Sequence, residues 1–541
     1  MCGIFFVQEK VNENQDLNNN SENIRSRGPD NTTVIEKNIN NTSIYFKFHR
    51  LSINDTSDNG NQPFFNLNCI TMCNGEIYNM KKLIENHNLN NLKSNSDCEV
   101  IIPLYKKYGF RNMLNMLDGV FSIVLYDLDT HMTYIGRDRV GVRPLFYQVD
   151  FNSLFFSCCS EMKGLDIKRG SIRQLDGGKF ISYRMDDSTI DYNKQSYHSF
   201  DDIMAHMPQN EDPLNFCIKN IHDKLVDAVE KRLMSDREIG CFLSGGVDSS
   251  VICAIMSRIY ERKGKKLKTF SIGFPTSTDL KYSRIVADHI HSDHTEIILD
   301  IKDIPNKLKD VIYATETFDI TTIRASVGMY LLSEYISKNT EDVVILSGEG
   351  SDEVFGGYLY FHDAPNDDSF DRECKRLIRK LPYFDVLRAD RCTASHGLEL
   401  RVPFLDYSFV EYVHSIPSKW RRALNGYEKY ILRKAFEDYL PSEIVWRRKE
   451  GFSDGVGGLK PWYSSIQEYA DSLLSQEEFD ELKSDCYIDL PSKEAALYYK
   501  IYREFYGNQI KCIPYYWMPK WQSSDLKDPS GRRVKAWDVK K

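Results

Sequence analysis

The stretch Ser244-Gly245-Gly246-Val247-Asp248-Ser249-Ser250 decides the fold of this 541-residue chain. The apolar run at 239–243 before it predicts a buried strand, and the apolar run at 251–256 after it predicts a helix. Two glycines let the backbone turn tightly between these elements, while free N–H groups at the helix start and the three serine hydroxyls direct donors towards one place. That place suits an anion, most simply a phosphate.

An ordinary serine-capped helix after a glycine turn is the alternative interpretation of this stretch. Asp248 and the serines that follow it, in phase on the same turn, favour the phosphate site. The stretch is not a Walker A loop, because it lacks the Gly-x-x-x-x-Gly-Lys-Ser/Thr frame and no lysine lies in the loop.

Further apolar runs follow at 269–274, 296–299 and 343–346, each separated from its neighbour by a helical segment. Strands that alternate with helices predict a parallel sheet, whose ligands bind at the carboxyl ends of the strands. The segment from Ile218 to Leu233 has an apolar face and predicts a helix that packs on the core. The second half of the chain is therefore expected to be an α/β domain.

The last of these strands leads into a glycine-rich turn, Ser347-Gly348-Glu349-Gly350-Ser351-Asp352-Glu353, that carries three carboxylates. Carboxylates so close together repel one another unless a cation lies among them, and Mg²⁺ shared with phosphates is the natural candidate. An acidic helix N-terminus is the alternative, which accounts for Asp352 and Glu353 but not for the flanking glycines. Lys449, in the glycine-rich segment 447–457, indicates either a surface loop or a charge clamp on a transferring phosphoryl group.

Composition limits the classes of partner and compartment. The length predicts two or more domains, and the net charge of −8 with 27% charged residues gives no reason to expect nucleic acid or a membrane as partner. Thirteen scattered cysteines, no signal peptide and no apolar run of about eighteen residues predict free thiols and a cytoplasmic location. Cys69 with Cys73, and the histidines at 289, 291 and 294, lack a second ligand pair at zinc-site spacing.

The chain begins with Met1-Cys2-Gly3-Ile4-Phe5-Phe6-Val7, an apolar strand with a cysteine at position 2. If Met1 is removed, Cys2 carries both a thiol, of pKa about 8.5, and the α-amine of the chain, of pKa about 7.7–8.0. Such a residue is a nucleophile with a built-in base at neutral pH. The alternative is a small buried residue that starts a strand.

Three other positions in the first half have two interpretations each. The pair Asn74-Gly75 is either a hairpin turn or an oxyanion hole, in which the side-chain amide and the glycine N–H would hold a tetrahedral intermediate. Arg50 is either a surface charge or a bidentate ligand for a carboxylate. Asp97 either caps the helix predicted at 100–108 or anchors a substrate amine. Alternating strands through this half predict a layered, β-rich domain.

The first half carries Met-Cys-Gly-Ile at 1–4, Arg-Gly-Pro-Asp at 27–30, Asn-Gly-Glu-Ile-Tyr-Asn at 74–79, Ser-Asp-Cys-Glu-Val at 96–100 and Arg-Val-Gly-Val-Arg-Pro-Leu at 139–145. These motifs resemble the N-terminal-nucleophile glutamine amidotransferases. The resemblance implies an α+β domain, an αββα sandwich in which Cys2 attacks the side-chain amide of glutamine and liberates ammonia. Asn74 and Gly75 would hold the oxyanion. The residues that would bind glutamine are Arg50, Leu51, Ser52, Ile53, Asn74, Gly75, Glu76 and Asp97. Asn54 lies where the family more often has an aliphatic residue, so it is left out.

The second half carries Ser-Gly-Gly-Val-Asp-Ser-Ser at 244–250, Thr-Thr-Ile-Arg at 321–324, Arg-Ala-Asp-Arg at 388–391, Glu-Leu-Arg-Val-Pro-Phe-Leu-Asp at 399–406, Lys-Glu-Gly-Phe-Ser-Asp-Gly-Val-Gly at 449–457 and Tyr-Trp-Met-Pro-Lys-Trp at 516–521. These motifs resemble the synthetase half of glutamine-hydrolysing asparagine synthetases, in which the first motif is a pyrophosphate loop. The resemblance implies an α/β parallel-sheet ATPase domain of the pyrophosphate-loop type. The residues that would contact ATP are Leu243, Ser244, Gly245, Gly246, Asp248, Ser249, Ile272, Ser347 and Gly348.

The same resemblance assigns the remaining roles in this half. Asp248 and Asp352 would lie near Mg²⁺, and Lys449 would neutralise charge that develops on the phosphates. The residues expected near aspartate and its activated intermediate are Thr321, Thr322, Arg324 and Glu349. The implied reaction is ATP-dependent conversion of aspartate to asparagine with nitrogen from glutamine, through β-aspartyl-AMP, with AMP and pyrophosphate as products.

The resemblance covers almost the whole chain. We expect an amidotransferase domain at 1–195, a linker at 196–213, a synthetase domain at 214–528 and a flexible tail at 529–541. Glutamine, aspartate and ATP are the expected partners, and a homodimer is the one protein assembly considered. A β-lactam-forming relative would lack Cys2, and a GMP- or NAD-synthetase-like enzyme would not begin with Cys-Gly-Ile. A non-catalytic homologue would be expected to have lost Cys2, Asp248 or Lys449.

Overall fold

The computed structural model describes residues 1–11, 19–185, 189–449, 456, 463–521 and 528–529. These residues form seventeen strands in three sheets. The strands are β1 (Gly3–Lys10), β2 (Asn31–Ile39), β3 (Thr42–Arg50), β4 (Phe64–Asn66), β5 (Cys69–Ile77), β6 (Gly119–Asp127), β7 (Met132–Arg137), β8 (Phe146–Asp150), β9 (Phe155–Cys159), β10 (Arg173–Gln174), β11 (Lys179–Met185), β12 (Ile190–Ser196), β13 (Glu238–Phe242), β14 (Lys268–Gly273), β15 (Asp293–Ile298), β16 (Asp342–Leu346) and β17 (Glu399–Arg401).

Eighteen α-helices occur in the same described ranges. They are α1 (Met80–His87), α2 (Ile101–Tyr108), α3 (Phe110–Met116), α4 (Pro213–Lys231), α5 (Val247–Arg262), α6 (Thr278–His289), α7 (Asp303–Thr315), α8 (Ile320–Asn339), α9 (Ser351–Phe355), α10 (Asp367–Lys380), α11 (Asp385–Ala394), α12 (Tyr407–Ser415), α13 (Ser418–Arg421), α14 (Tyr430–Ala435), α15 (Ser442–Val445), α16 (Tyr463–Leu473), α17 (Gln476–Asp485) and α18 (Lys493–Tyr506). No helix of the described part of the chain is long and apolar enough to cross a membrane.

The N-terminal half is a sandwich of two six-stranded sheets with antiparallel pairing. The first sheet has the order β10-β8-β9-β1-β3-β2 and the second the order β12-β11-β7-β6-β5-β4. Alternate side chains of each strand point between the sheets, where Phe6 and Phe46 of the first sheet meet Ile70 and Val124 of the second in one buried cluster. This apolar layer fixes the register of both sheets.

Helical layers cover the outer faces of the sandwich. Helices α1–α3 pack on the second sheet through a cluster that joins Leu83, Ile102 and Met113 to Phe121 of β6. The outer side of the first sheet belongs to the core that it shares with the C-terminal half, through residues such as Phe5 of β1. The αββα sandwich expected for this half is confirmed.

The C-terminal half is built on a five-stranded parallel sheet of order β15-β14-β13-β16-β17. Buried apolar strands lie in its centre, and helices connect one strand to the next. Strand β13 is followed by the glycine loop and by helix α5, as the sequence predicts. The short strand β17 was not predicted, because three residues carry no recognisable period. The carboxyl ends of β13, β14 and β16 lie side by side and form the floor of a cleft.

The structure excludes one alternative and refines one prediction. Asn74 and Gly75 do not form a hairpin turn, since both lie within β5 and pair with Ser122 and Phe121 of β6. A Cβ atom on Gly75 would lie 2.0 Å from the carbonyl oxygen of Val120, so only a glycine lets β5 and β6 approach each other this closely here. The helix predicted at 100–108 begins as a 3-10 turn over Asp97–Val100 and becomes α-helical as α2.

The predicted loop after Lys449 lies outside the described residues, except for Val456, and so does the tail beyond Pro529. All thirteen cysteines are free thiols. Between the last residue of β12 and the first of α4, the only regular element is a 3-10 turn over Phe200–Asp202. The proposed domain boundaries remain predictions.

Candidate functional site

Cys2 lies immediately before β1, where it faces the end of β3 and the middle of β5. Its backbone N–H donates to Asn74 Oδ1 at 2.9 Å, and its Sγ lies 3.7 Å from the carbonyl oxygen of Leu51. Arg27 Nε donates to the Cys2 carbonyl at 2.9 Å. Burial raises the pKa of the Cys2 thiol to about 11 and lowers the pKa of the Met1 amine to about 6. With Met1 in place, the thiol is therefore protonated at neutral pH.

The side-chain amide of Asn74 is oriented for donation. Its oxygen accepts from Cys2, while its nitrogen Nδ2 is buried and has no hydrogen-bond partner among the described residues. An unpaired buried donor costs about 1–3 kcal/mol, and a bound group with an acceptor atom near Cys2 would remove this cost. An oxyanion hole would use this donor, whereas a hairpin turn would leave it unexplained.

Arg50, Glu76 and Asp97 surround this position but differ in their contacts. Arg50 is buried and donates from Nη1 to the carbonyl oxygen of Ser57 and to Asn61 Oδ1, both at 2.7 Å, so the surface-charge interpretation is wrong. Asp97 accepts from the Ile77 N–H, and burial raises its pKa to about 6.

Glu76 carries two contacts that reach beyond its own strand. Its Oε2 accepts from the side-chain amide of Asn54, the residue left out of the sequence-based set, and its Oε1 lies 3.5 Å from Arg401 Nη2 of the C-terminal half. The neighbouring segment 51–53 forms the wall beside Cys2. The N–H of Ser52 donates to Asp30 Oδ2 at 2.8 Å, and the carbonyl of Ile53 accepts from Asp236 at 2.9 Å.

A cleft of about 270 Å³ opens at the carboxyl edge of the parallel sheet. Nearly all residues predicted for ATP, aspartate and metal line it, namely Leu243, Ser244, Gly246, Asp248, Ser249, Ile272, Thr321, Thr322, Arg324, Ser347, Gly348, Glu349, Asp352 and Lys449. Chain segments about 200 residues apart thus meet at one place.

Two residues of the glycine loop do not line the cleft. Gly245 forms the turn itself, with a φ of +73°, and a Cβ there would lie 2.5 Å from the Ser283 backbone nitrogen. Ser250 is fully buried in α5, so the expectation that all three serine hydroxyls face one ligand is wrong for this one. It lies one residue beyond Ser249, which turns it about 100° around the helix towards the core. Ser244 and Ser249 remain together, with their hydroxyls 3.0 Å apart.

Lys429 bridges the two carboxylates assigned to the metal. Its Nζ lies 2.7 and 2.6 Å from the two oxygens of Asp248 and 2.7 Å from Asp352 Oδ1. Lys449 contacts the other oxygen of Asp352, and Ser351 donates to Asp248 at 2.7 Å. Burial opposes ionisation of Asp352, but the two lysines hold its pKa well below the usual range.

The donor set fits Mg²⁺ bound together with a nucleotide. No cluster of three or more His, Cys, Asp or Glu suited to a metal occurs within the described ranges. Mg²⁺ needs only one or two carboxylates when substrate phosphates supply the remaining oxygens. Asp248 and Asp352 converge on a single cation, the Lys429 ammonium, which shows that this place accommodates positive charge.

The residues assigned to the aspartate end of the cleft are already held by protein partners. Glu349 accepts from Arg388 Nη2 at 2.8 Å, and burial raises the pKa of its carboxyl group. The Thr322 hydroxyl donates to Asp319 at 2.8 Å.

Arg324 is engaged on two sides by carboxylates. Its Nε and Nη2 contact Glu494 at 2.8 and 2.6 Å, and Nη1 and Nη2 contact Asp528 at 3.0 and 2.9 Å. These two carboxylates compensate the charge of Arg324 within the chain. Its guanidinium is therefore not free to bind a carboxylate of aspartate in this geometry. Thr321 differs, because its hydroxyl is buried without a partner among the described residues.

Sequence reasoning missed four contributors to these sites. Lys429 lies between Glu428 and Tyr430 and belongs to none of the motifs described above. Arg388 and Arg401 fall in motifs that were quoted without a role for either side chain. Asn54 was left out because of its residue type. The only signal that could have identified them is spatial proximity, which a single sequence does not contain.

Comparison with known proteins agrees with the two-part organisation. The family model described as asparagine synthase matches residues 220–370 and 363–527, and the one described as a glutamine amidotransferase domain matches residues 1–210. Asparagine synthetase [glutamine-hydrolyzing] of Gallus gallus is 40% identical over 566 residues, which span 99% of this chain and 99% of that protein. The protein of the same name from Homo sapiens is 40% identical over 542 residues and 94% of each chain.

Solved structures resemble the chain only distantly. Glutamine phosphoribosylpyrophosphate amidotransferase from B. subtilis has 15% identity and a TM-score of 0.31, and covers 49% of this chain and 64% of its own. NMN synthetase from Francisella tularensis has 10% identity and a TM-score of 0.25, over 57% of this chain and 100% of its own. These scores carry no weight in the assignment. Because both family models match and the identity to full-length relatives extends over nearly the whole sequence, the chain belongs to the glutamine-hydrolysing asparagine synthetase family.

Proposed function

We propose that this protein converts aspartate to asparagine at the expense of ATP, with glutamine as nitrogen donor and β-aspartyl-AMP as intermediate. The observation that carries the proposal is that predicted site residues come together at two places, one in each half of the chain. Cys2 and Asn74 are hydrogen-bonded in the N-terminal half, and Asp248 and Asp352 converge in the cleft of the C-terminal half.

In the N-terminal half, Cys2 acts as nucleophile. Removal of Met1 would convert the Cys2 nitrogen, now donating to Asn74, into the α-amine that takes the thiol proton. The sulfur attacks the side-chain carbonyl of glutamine, the Asn74 amide and the Gly75 N–H stabilise the oxyanion, and ammonia leaves. Water then hydrolyses the thioester to glutamate. Arg50, Glu76 and Asp97 provide the charged groups that recognise the amino-acid end of glutamine.

In the C-terminal half, the loop Ser244–Ser249 binds the pyrophosphate portion of ATP through main-chain N–H groups and hydroxyls. The β-carboxylate of aspartate attacks the α-phosphorus, pyrophosphate leaves, and ammonia then displaces AMP from the activated carboxyl. Adenylation is required because a carboxylate is a poor electrophile, whereas AMP is a good leaving group. Lys429 and Lys449 neutralise charge on the departing pyrophosphate, and Glu349 assists formation or breakdown of the intermediate.

Asp248 and Asp352 are the residues that would hold Mg²⁺, which supplies charge neutralisation on the phosphates when it is bound. We further propose that 1–195 and 214–528 are the two catalytic domains, that the protein acts in the cytoplasm, and that a homodimer is its assembly. Free buried thiols throughout the chain support a reducing compartment.

Replacement of Cys2 tests the two-site scheme. Cys2→Ala is expected to abolish asparagine formation from glutamine while ammonia-dependent synthesis stays within about a factor of two, because the substituted side chain lies in the other half. Cys159→Ala, a buried thiol of β9 away from Asn74, is the matched control for loss of a cysteine. Equal loss of both activities in Cys2→Ala would contradict separate sites.

A further inference from the structure

Arg401 connects the two sites through its main chain and its side chain. It is the last residue of β17, where it pairs with Leu346 of β16. Its carbonyl accepts from the Ser347 N–H at 3.0 Å, and Ser347 lines the nucleotide cleft. Its guanidinium extends the other way and meets Glu76 of the amidotransferase half. One residue thus contacts Ser347 of the nucleotide cleft and Glu76 of the other half.

The guanidinium of Arg401 is held rigidly. It is fully buried, with Nε 2.8 Å from Glu399 Oε1 and Nη1 2.6 Å from the carbonyl oxygens of Arg232 and Met234. These contacts fix the plane of the group and direct Nη2 at Glu76 Oε1, 3.5 Å away. Nη2 makes no hydrogen bond among the described residues, so Glu76 is the group that it faces.

Arg401 opposes the loss of negative charge on the buried Glu76. Burial raises the pKa of Glu76, and the nearby carboxylates of Glu399 and Asp97 raise it further. Arg401, and after it Arg143, oppose these effects. The side-chain amide of Asn54 donates to the other Glu76 oxygen, and the thiols of Cys2 and Cys98 also interact electrostatically with Glu76. Since a carboxylate binds the ammonium of an amino acid only when ionised, Arg401 favours the binding-competent form.

We propose that Arg401 is a positioning residue that links nucleotide occupancy of the synthetase cleft to the affinity of the glutaminase site for glutamine. This inference rests on the proposed function and adds the path of coupling to it. Binding of ATP at Ser347 acts on the main chain of β17, and the guanidinium of the same residue transmits the change to Glu76. By linkage, glutamine must alter the affinity for ATP by the same factor.

Glutaminase kinetics with and without ATP test the coupling. Glutamate formation is measured with Mg²⁺ and without aspartate, so that no ammonia is consumed. In the wild type, saturating ATP is expected to change KM for glutamine by about fivefold or more, the lower range of allosteric coupling. In Arg401→Lys, KM without ATP is expected to rise about ten- to hundredfold, as for the loss of a buried charged contact, and ATP is expected to have no further effect.

Arg391→Lys is the matched control. Arg391 is an equally buried arginine of the C-terminal half that contacts Glu316 at 3.2 Å and Asp390 at 2.9 Å, without touching Glu76 or Ser347. It is expected to keep the wild-type response to ATP. A wild type with no glutaminase activity would refute the proposed function itself. An active wild type whose KM ignores ATP, or an Arg401→Lys that keeps the ATP response, would overturn only the coupling.

The pH profile separates positioning from a merely structural effect. Lysine keeps a positive charge but lacks the planar guanidinium that directs Nη2 at Glu76, so the pKa of Glu76 is expected to rise. The acid limb of kcat/KM for glutamine is therefore expected at higher pH in Arg401→Lys. Glu399→Gln removes a negative neighbour but keeps an acceptor for Arg401, so its acid limb is expected at lower pH than in the wild type. This second variant decides the matter if Arg401→Lys does not fold. Acid limbs that coincide with that of the wild type, or shift the other way, would overturn the inference.

Discussion

Replacement of Lys429 probes the charge balance of the synthetase cleft. The side chain is 1% exposed, and its ammonium contacts Asp248 and Asp352 at 2.6–2.7 Å. Lys429→Met removes this cation but preserves most of the apolar stem. Asp352 would keep its contact with Lys449, whereas Asp248 would lose both of its contacts with Lys429.

Two effects of Lys429→Met can be given magnitudes. Removal of one partner from a buried ion pair costs about 3–5 kcal/mol of stability, because the remaining charge stays buried and uncompensated. Removal of a group that stabilises charge in the transition state costs about 2.7–4 kcal/mol, which corresponds to roughly a hundred- to thousandfold loss of rate. We therefore expect ammonia-dependent synthesis to fall by at least two orders of magnitude, with glutaminase activity retained.

The assay is formation of AMP and asparagine from ATP, aspartate and ammonia. Lys434→Met is the matched control, because Lys434 lies on α14, is about a third exposed and pairs with Glu437 near the surface. An exposed pair contributes about 0–1 kcal/mol, so this variant is expected to behave like the wild type. A folded Lys429→Met that retained more than about a tenth of the wild-type rate would refute a role for the ammonium in charge neutralisation.

Two further variants test other parts of the account. Asn74→Ala removes the unpaired buried donor near Cys2 and is expected to lower the glutaminase kcat by about 10²–10³-fold. The control Asn79→Ala, which loses the hydrogen bond to the Met116 carbonyl, is expected to keep the wild-type kcat. Equal effects of the two substitutions would contradict an oxyanion role for Asn74. Burial lowers the pKa of the His414 imidazole to about 4 in the folded chain. On acidification the unfolded chain therefore protonates His414 first, and the free energy of unfolding falls as the pH drops from about 6.5 to about 4. The free energy of unfolding is measured by denaturant titration at pH 7 and at pH 5. The loss of stability between these two pH values is expected to be about 2 kcal/mol smaller in His414→Gln than in the wild type. An equal loss in both proteins would show that His414 is not the responsible group.

Much of the architecture could be predicted because it depends on local patterns. The glycine loop between β13 and α5 combines an apolar run, two glycines and a helix start, all of which are contiguous in the chain. The parallel sheet follows from strands that alternate with helices, and parallel strands need such crossovers. The N-terminal strands are marked instead by short apolar runs separated by turn residues, and most of them are buried on both faces.

The errors come from tertiary context. The pair Asn74-Gly75 has the composition of a hairpin turn, yet pairing with β6 on one side and the approach of Val120 require an extended strand there. Ser250 has the residue type of a ligand donor, but its place on the helix turns it into the core. Neither outcome is encoded in the few residues around each position.

Contacts between residues that lie far apart in the sequence could not be predicted for the same reason. Lys429 lies 181 residues after Asp248 and 77 after Asp352 and carries no motif of its own. The Arg401–Glu76 contact joins the two halves of the chain, and no local pattern around either residue indicates it. Family resemblance predicts candidate catalytic residues by type, and the three-dimensional structure adds the residues that compensate their charges.

The transfer of nitrogen from glutamine to aspartate is the central claim, and one isotope experiment tests it directly. The protein is incubated with ATP, Mg²⁺, aspartate and glutamine labelled with ¹⁵N in the side-chain amide, and the products are identified by mass spectrometry. We predict ¹⁵N-labelled asparagine together with AMP and pyrophosphate in equal amounts. Unlabelled asparagine, no asparagine, or ADP in place of AMP would contradict the account.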